Sequence, residues 1–336
     1  MDSLTHTVLG ACLGQVIAGK KIGKKALLWG ALANNLPDVD VITGLWMSHA
    51  DSLLAHRGFT HSFAFMILAT PLLTWLFRNK FAAQGMRARD WFLIWGSGLL
   101  IHLLIDAMTA YGTAWYEPFH HHRVSFHVLF VADPFYTISL LVASIALLIT
   151  GKTNRYRNHW AVYGLVISTL YVGYAAYNKA GIEKVVGENF RQQQISTMDH
   201  FSTPTPLNSF LWYIVARVDG GFMISYRSVF DENKNLQFTF LPSQDSLLDA
   251  YRTEHEIKQL IRFSEGYYII ERKNDTLQFN DLRFGQIGGW SDIKAPFVFR
   301  YALNEAQDNK MVIQQGRIEA SSREGIRSLV ERIKAD

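Results

Sequence analysis

The chain has 336 residues, 49% hydrophobic and only 18% charged, which is too apolar for an ordinary water-soluble protein of this length. Its single cysteine, Cys12, excludes an intrachain disulfide and any cysteine-based zinc site, so metal ligands would have to be histidine and carboxylate. The formal net charge of +4 suggests nucleic acid, but eleven of the Lys and Arg residues fall in three short loops between apolar runs; they read as topology signals, and no nucleic-acid partner is expected.

A bilayer span takes about 20 apolar residues. In chain order, residues 4–18 and 26–42 form two short runs rich in Gly and Ala, suited to close helix packing. Fuller runs follow at 59–77, 91–110, 132–150 and 160–177. The first six residues lack a basic n-region and no convincing cleavage site follows, so the first helix is expected to stay in the mature protein. Lys20, Lys21, Lys24 and Lys25, then Arg78, Lys80, Arg87 and Arg89, then Lys152, Arg155 and Arg157 mark the inner loops. The loops at 34–57 and 111–131 carry only Arg57 and Arg123 and should face outward. With six spans, the N-terminus and everything after residue 177 lie outside, in the periplasm of a Gram-negative cell. The expected location is the bacterial inner membrane, with the lipid bilayer as first partner.

From about residue 180 the period becomes alternating. Residues 211–218, the turn Asp219-Gly220-Gly221 and residues 222–229 predict a β-hairpin. Further strands are predicted at 236–241, 267–272, 276–284, 297–303 and 311–315, and helices at 246–263 and 322–335. The last helix carries an apolar stripe of Ile326, Leu329, Val330 and Ile333. The stretch 202–206, with two prolines, reads as a junction. The expected fold class is an α-helical polytopic membrane domain of about six helices over residues 1–178, followed by a small soluble α+β domain over 179–336.

Nine of the twelve histidines precede residue 130, most of them beside a carboxylate at the end of an apolar run. The groups are Asp2 and His6 in DSLTH, Asp38 and Asp40 in NNLPDVD, His56 and His61 in HRGFTH, and His102 and Asp106 in HLLID; Asp133 is a fifth candidate. On the predicted topology all lie toward the outer ends of their helices, where chance would put about half. Asp2/His6 and His102/Asp106 are i,i+4 pairs, each on one helix face and able to share one ion. An ionisable group within a membrane helix costs roughly 2.5 to 3.5 kcal/mol on insertion scales, and metal coordination would offset that. Each group also has a structural reading. Asp2 could cap a helix, Asp38 and Asp40 could be turn residues, and His56 and His61 could be interfacial. The His102/Asp106 pair is the hardest to explain without a ligand. The run His120-His121-His122 and His127 fall in a loop and read as solvated, while His159, His200 and His255 carry no pattern.

At MDSLTH, residues 30–40 ending in PDVD, HRGFTHS, HLLIDAMTAYGT and the VADP step, the sequence resembles the bacterial inner-membrane, metal-dependent hydrolase type of family typified by YdjM. The resemblance covers the first 135 to 150 residues. That family is distantly similar to zinc-dependent phospholipase C and the single-strand zinc nucleases, which are helical and use an ordered series of His, Asp, His and His-x-x-x-Asp ligands. The order here would be His6, Asp38 or Asp40, His56 or His61, then His102 and Asp106. Two features depart: the chain begins Met1-Asp2 where those enzymes have a processed N-terminal Trp, and no second His-x-x-x-Glu pair follows.

Sidedness, spacing and resemblance together imply a divalent metal, zinc first, held by His6, His56, His61, His102 and Asp106. Asp38 or Asp40 would bridge metals or act as base, Asp2 would orient His6, and Arg57 would hold a phosphate oxygen. The expected reaction is hydrolysis of a phosphate ester or lipid-linked substrate at the outer membrane face. The alternative is a metal-binding or sensing membrane protein without turnover. A transporter fits less well, because the inner halves of the predicted spans lack the His and Asp of a through-path.

Overall fold

Asp2 opens the first helix as its N-cap, accepting from the Thr5 backbone amide at 3.1 Å. In the computed structural model, which describes residues 1–152, 154–273, 276–303 and 323–334, helix α1 spans Ser3–Ile22 and α2 spans Lys25–Asn35. Glycines on both helices let these two backbones touch. A Cβ at Gly30 would lie 2.0 Å from the Gly10 carbonyl oxygen, and one at Gly14 2.0 Å from that of Ala26, so only glycine fits this contact. Pro37 stops α2 because it has no amide to donate to the preceding turn and its ring crowds the carbonyl there, even though Leu36 keeps helical dihedrals. The chain continues as a 3-10 helix, Pro37–Leu45, then α3, His49–Ala55. A short 3-10 turn, Phe59–His61, precedes α4, Phe63–Phe77, whose N-cap Ser62 accepts from the Phe65 amide. Helix α5 is Ala88–Ala107, α6 is Pro134–Ile149 and α7 is the 36-residue Arg157–Gln192.

Among the described residues, two helices are long and apolar enough to cross a bilayer, α5 and α7. A third span results if His49–His61 and Phe63–Phe77, bent by 56° at their junction, are taken as one. Of the about six spans expected, helix length among the described residues supports two or three. The run at 26–42 is split at Pro37, α6 has 16 residues, and α1 carries His6, Gln15 and a Lys20-Lys21 end. Large apolar side chains nonetheless face outward, including Ile67, Leu72 and Trp75 of α4 and Ile138, Ile145 and Ile149 of α6. Such a surface suits lipid rather than water.

The chain divides into two units: Met1–Ile42 with Ala55–Ala175 and Pro206–Asn208, and Thr43–Leu54 with Ala176–Thr205 and Ser209–Asp336. The second contains two antiparallel sheets. One has the order β1-β2-β3-β4, with β1 Asp199–Pro204, β2 Leu211–Val218, β3 Gly221–Ser228 and β4 Thr239–Pro242. Helix α8, His255–Phe263, leads into the other, β5-β6-β7, with β5 Tyr268–Lys273, β6 Thr276–Gln286 and β7 Phe297–Leu303. Helix α9 is Arg323–Lys334. Strand β2 is apolar and buried over residues 211–216 because both its faces are covered there. Trp212, Ile214 and Ala216 pack with Ile182, Val186 and Phe190 of α7, while Tyr213 and Val215 join Phe222, Ile269 and Leu282.

Several elements depart from the sequence reading. The stretch 202–206 is no simple junction, since residues to Pro204 pair with β2 at the sheet edge, where a proline costs no ladder bond. The helix predicted over 246–263 is a 3-10 turn at Asp245–Leu248 and then α8. Helix α7 continues well past residue 177. The strand predicted at 311–315 lies outside the described residues.

Candidate metal centre

Four side chains from three segments converge in the first unit: Asp38 on the 3-10 helix after Pro37, His61 at the end of Phe59–His61, and His102 and Asp106 one turn apart on α5. Their ligand atoms all lie within 4.8 Å of one another. His61 Nε2 is 2.9 Å from His102 Nε2, 3.4 Å from Asp38 Oδ1 and 3.6 Å from Asp106 Oδ2. His102 Nε2 is 3.6 Å from Asp38 Oδ1 and 3.7 Å from Asp106 Oδ2. All but Asp38 are fully buried, and the Asp38 side chain is 20% exposed.

The outer partners of these groups decide what the centre can do. His102 Nδ1 lies 2.6 Å from the Asn34 carbonyl, which can only accept, so the ring proton sits on Nδ1 and Nε2 presents a lone pair. His61 Nδ1 lies 3.2 Å from Asp40 Oδ2 and 3.1 Å from the Thr60 hydroxyl, an arrangement that favours the same tautomer. With His61 deprotonated at Nε2, as a metal would require, two imidazole lone pairs and two carboxylate oxygens would point at one space. Asp106 Oδ2 is buried beside Arg57 Nε, 3.2 Å away. Facing lone pairs repel unless a proton or a metal ion stands between them. Zinc bonds of about 2.0 to 2.1 Å to nitrogen and oxygen give tetrahedral edges of about 3.3 to 3.4 Å, close to four of the five separations above. The donor set and its spacing fit a divalent ion.

A second group, Asp38, Asp40 and His56, shares Asp38 with the first. His56 Nδ1 is 2.8 Å from Asp40 Oδ1, while Asp40 Oδ2 accepts from the Arg57 amide at 3.0 Å and the Thr60 hydroxyl at 2.6 Å. Asp40 is thus committed on both oxygens. The 3-10 helix bearing Asp38 and Asp40 lies outside the spans described above. Burial opposes ionisation of Asp38, but the His61 hydrogen bond and nearby His102 outweigh it and hold the carboxyl at about 2. Asp40 is likewise pulled below the usual carboxylate range against its burial, by His56 and His61. Both are anionic at neutral pH. His56 is 32% exposed, so with Asp38 it forms the open side of the cluster.

The remaining predicted residues occupy other positions. His6 is bonded through Nε2 to Asp106 Oδ1 at 3.0 Å and stacks on His102 at 3.9 Å, so it sits behind Asp106 and outside both groups. Asp2 is turned to the Thr5 amide and hydroxyl. The Met1 amino group is also paired with Asp106 Oδ1. Arg57, at φ 63°, sends Nη1 to the Thr109 hydroxyl at 3.0 Å and Nε to within 3.2 Å of Asp106 Oδ2, with its guanidinium 4.8 Å from the Tyr111 ring. Asp133 caps α6 and accepts from the Tyr171 hydroxyl at 2.8 Å, apart from the cluster. His121 pairs with Glu117 in the exposed loop. Sequence reasoning missed Asn34, which orients His102 through its carbonyl and donates its amide to the His6 carbonyl at 2.7 Å. It also missed Thr60, Thr109 and Arg123, which donates to the His56 carbonyl at 2.8 Å. The only signal was polar residues crowded into NNLPDVD and HRGFTH.

No solved structure matches the chain. An uncharacterized protein of Bacillus subtilis, YfhP, is 31% identical over 153 residues, 43% of this chain and 45% of the relative, so the chain spans less than half of that protein. The inner membrane protein YbcI of Escherichia coli is 31% identical over 122 residues, 36% of this chain and 69% of the relative. The profile described as YdjM inner membrane protein matches residues 1–182, which include every residue of the cluster, and the chain belongs to that family.

Proposed function

We propose that the cluster binds a divalent metal, zinc being the best match, and that the protein is a membrane-bound hydrolase of a phosphate ester or lipid-linked substrate. The observation that carries this reading is the meeting of two ring nitrogens and two carboxylate oxygens at near-tetrahedral spacing. A divalent ion held there supplies Lewis acidity and lowers the pKa of a bound water to about 7. His61, His102, Asp38 and Asp106 would hold the ion. Asp38 is common to both groups, and Asp40, engaged by His56, Thr60 and the Arg57 amide, would position His56 and His61. The exposed edges of Asp38 and His56 admit substrate and can take a proton from water. Arg57 and His6 fix Asp106, and Arg57 is the cation nearest to a phosphate oxygen entering from that side. We assign the hydrolase-like membrane domain to residues 1–178 and a soluble α+β domain to 179–336. Both the cluster and the soluble domain are proposed to face the periplasm, a reading supported by the three Lys/Arg-rich loops.

One observation favours a second reading, a metal-binding or sensing protein without turnover. Four protein ligands in one group would complete a tetrahedral site and leave no position for water. Equilibrium dialysis with metal analysis, together with hydrolysis of bis(p-nitrophenyl) phosphate, separates the cases. A hydrolase binds metal and turns over the ester, and both properties vanish in His102→Ala/Asp106→Ala. Full metal content in that variant rules out the site, while a metal-loaded but inert wild type supports the sensor.

A further inference from the structure

The second unit contains a cavity of about 360 Å3, remote in sequence from the metal centre and walled by β3, the stretch leading to β4, the turn around Trp290 and helix α9. That volume falls within the usual size of small-molecule sites, but the lining is unusually polar, with Tyr226, Arg227, Asp231, Gln237, Trp290 and Arg332 among its residues. Its charges are already committed. Arg332 grips Asp231 with two parallel bonds, Nη1 to Oδ1 at 2.8 Å and Nη2 to Oδ2 at 3.0 Å. Arg227, almost fully buried, donates to the main-chain carbonyls of Asn233 at 2.7 Å and Asp231 at 3.0 Å.

These commitments narrow the ligand. A phosphate or carboxylate would have to draw a guanidinium away from a partner it already has. An acyl chain would cover polar wall groups without satisfying them. A neutral, hydroxyl-rich molecule meets neither penalty. Two features are suited to one. Trp290 has its indole N–H fixed on the Ser328 hydroxyl at 3.0 Å, which holds the ring as a half-exposed wall, and the C–H face of a sugar packs against such a ring. Asn235 and Gln237 are exposed at the cavity, each with a carboxamide that can donate to and accept from neighbouring hydroxyls. We propose that this cavity binds a neutral saccharide of one or two rings.

The full-length protein, purified in a polyoxyethylene detergent so that no glycoside headgroup competes, is titrated with maltose, cellobiose and N,N′-diacetylchitobiose, and binding is read by saturation-transfer NMR. At least one disaccharide should bind. Trp290→Ala should weaken it about three- to tenfold through loss of the stacking face. Because Trp290 also holds Ser328, the double variant Asn235→Ala/Gln237→Ala provides a second reading: weaker binding with an unchanged thermal midpoint. Absence of transfer to all three sugars overturns the proposal, as does undiminished binding in both variants. Displacement of bound sugar by millimolar inorganic phosphate would mark an anion site and overturn it as well.

Discussion

The two units bury charge in opposite ways. In the sheet unit, Asp281 and Arg283 stand two residues apart on one face of β6, both inaccessible, and Arg283 Nε and Nη2 reach Asp281 Oδ1 and Oδ2 at 3.1 and 2.7 Å. The guanidinium lies 4.7 Å from the Phe263 ring. One anion meets one cation, and the pair is complete. In the helical unit Asp38, Asp40 and Asp106 face Arg57 and the imidazoles of His56, His61 and His102, so that carboxylates are shared among several partners. The difference is one of sharing. A buried pair that satisfies itself is complete, whereas a cluster of shared carboxylates and imidazoles could hold a metal ion.

The largest expected effect comes from removing the acceptor that joins both layers of the cluster. Asp106→Ala leaves Arg57 and His6 without their partner, and the loss of one member of a buried pair costs roughly 3 to 5 kcal/mol. Metal content should fall to background and the thermal midpoint should drop in the same protein. Retention of both would erase the contrast between the units. Asp281→Ala should destabilise to a similar or smaller degree by stranding Arg283, yet leave metal content untouched. The sharper experiment is Asp281→Leu combined with Arg283→Met. If that pair is purely structural, the double variant should recover most of the lost stability, whereas no apolar replacement of His102 and Asp106 should restore metal.

The same contrast explains what could be read in the sequence. The β2–β3 hairpin was legible because Asp219-Gly220 imposes its turn, with Gly220 at φ 75°, between two apolar runs. Strand β7, Phe297–Leu303, was legible from alternation that the fold keeps as strictly alternating burial. Strand β1 was not, since Asp-His-Phe-Ser-Thr-Pro owes its conformation to pairing with β2 rather than to its own composition. The run at 26–42 reads as one segment but is not one helix, because hydropathy sums over a run and does not register the break at Pro37. In the candidate site, residue type pointed to Asp38, His61, His102 and Asp106. The task of Asn34 was invisible because its carbonyl, which any residue possesses, orients His102. His6 and Asp2 illustrate the limit of spacing: an i,i+4 pair can share a face while one member caps the helix and the other bonds to a different segment.

A smaller effect should separate ligands from the groups that aim them. Asp40 accepts from His56, Thr60 and the Arg57 amide, so Asp40→Asn keeps the volume but loses acceptor capacity and the charge facing His61. Partners that orient a ligand typically contribute 10- to 100-fold in metal affinity. Competition with a chromophoric chelator should show weakening of about that size, with the ion still bound at saturation. Complete loss of metal would promote Asp40 to an indispensable ligand, and unchanged affinity would mean that Thr60 alone suffices to orient His61.

The smallest effect belongs to the sheet unit and tests whether its ion pairs are as self-contained as Asp281–Arg283. His200 Nε2 sits 3.0 Å from Glu183 Oε2, and the hydrogen bond to that carboxylate raises the imidazole above its ordinary 6.5 despite partial burial. A raised folded-state value means that the protonated ring stabilises the fold fully below pH 6.5, and that this contribution fades as pH climbs through the raised value. Glu183→Gln keeps an oxygen for the Ser202 hydroxyl and amide, which Glu183 Oε1 accepts at 2.6 and 3.2 Å, but removes the charge that His200 senses. The stability gap between wild type and variant should be about 0.5 kcal/mol at pH 5.5, as for a partly exposed pair, and should shrink by pH 8.5. A gap that stays constant across that range would assign the contribution of Glu183 to its bonds with Ser202 and none of it to His200.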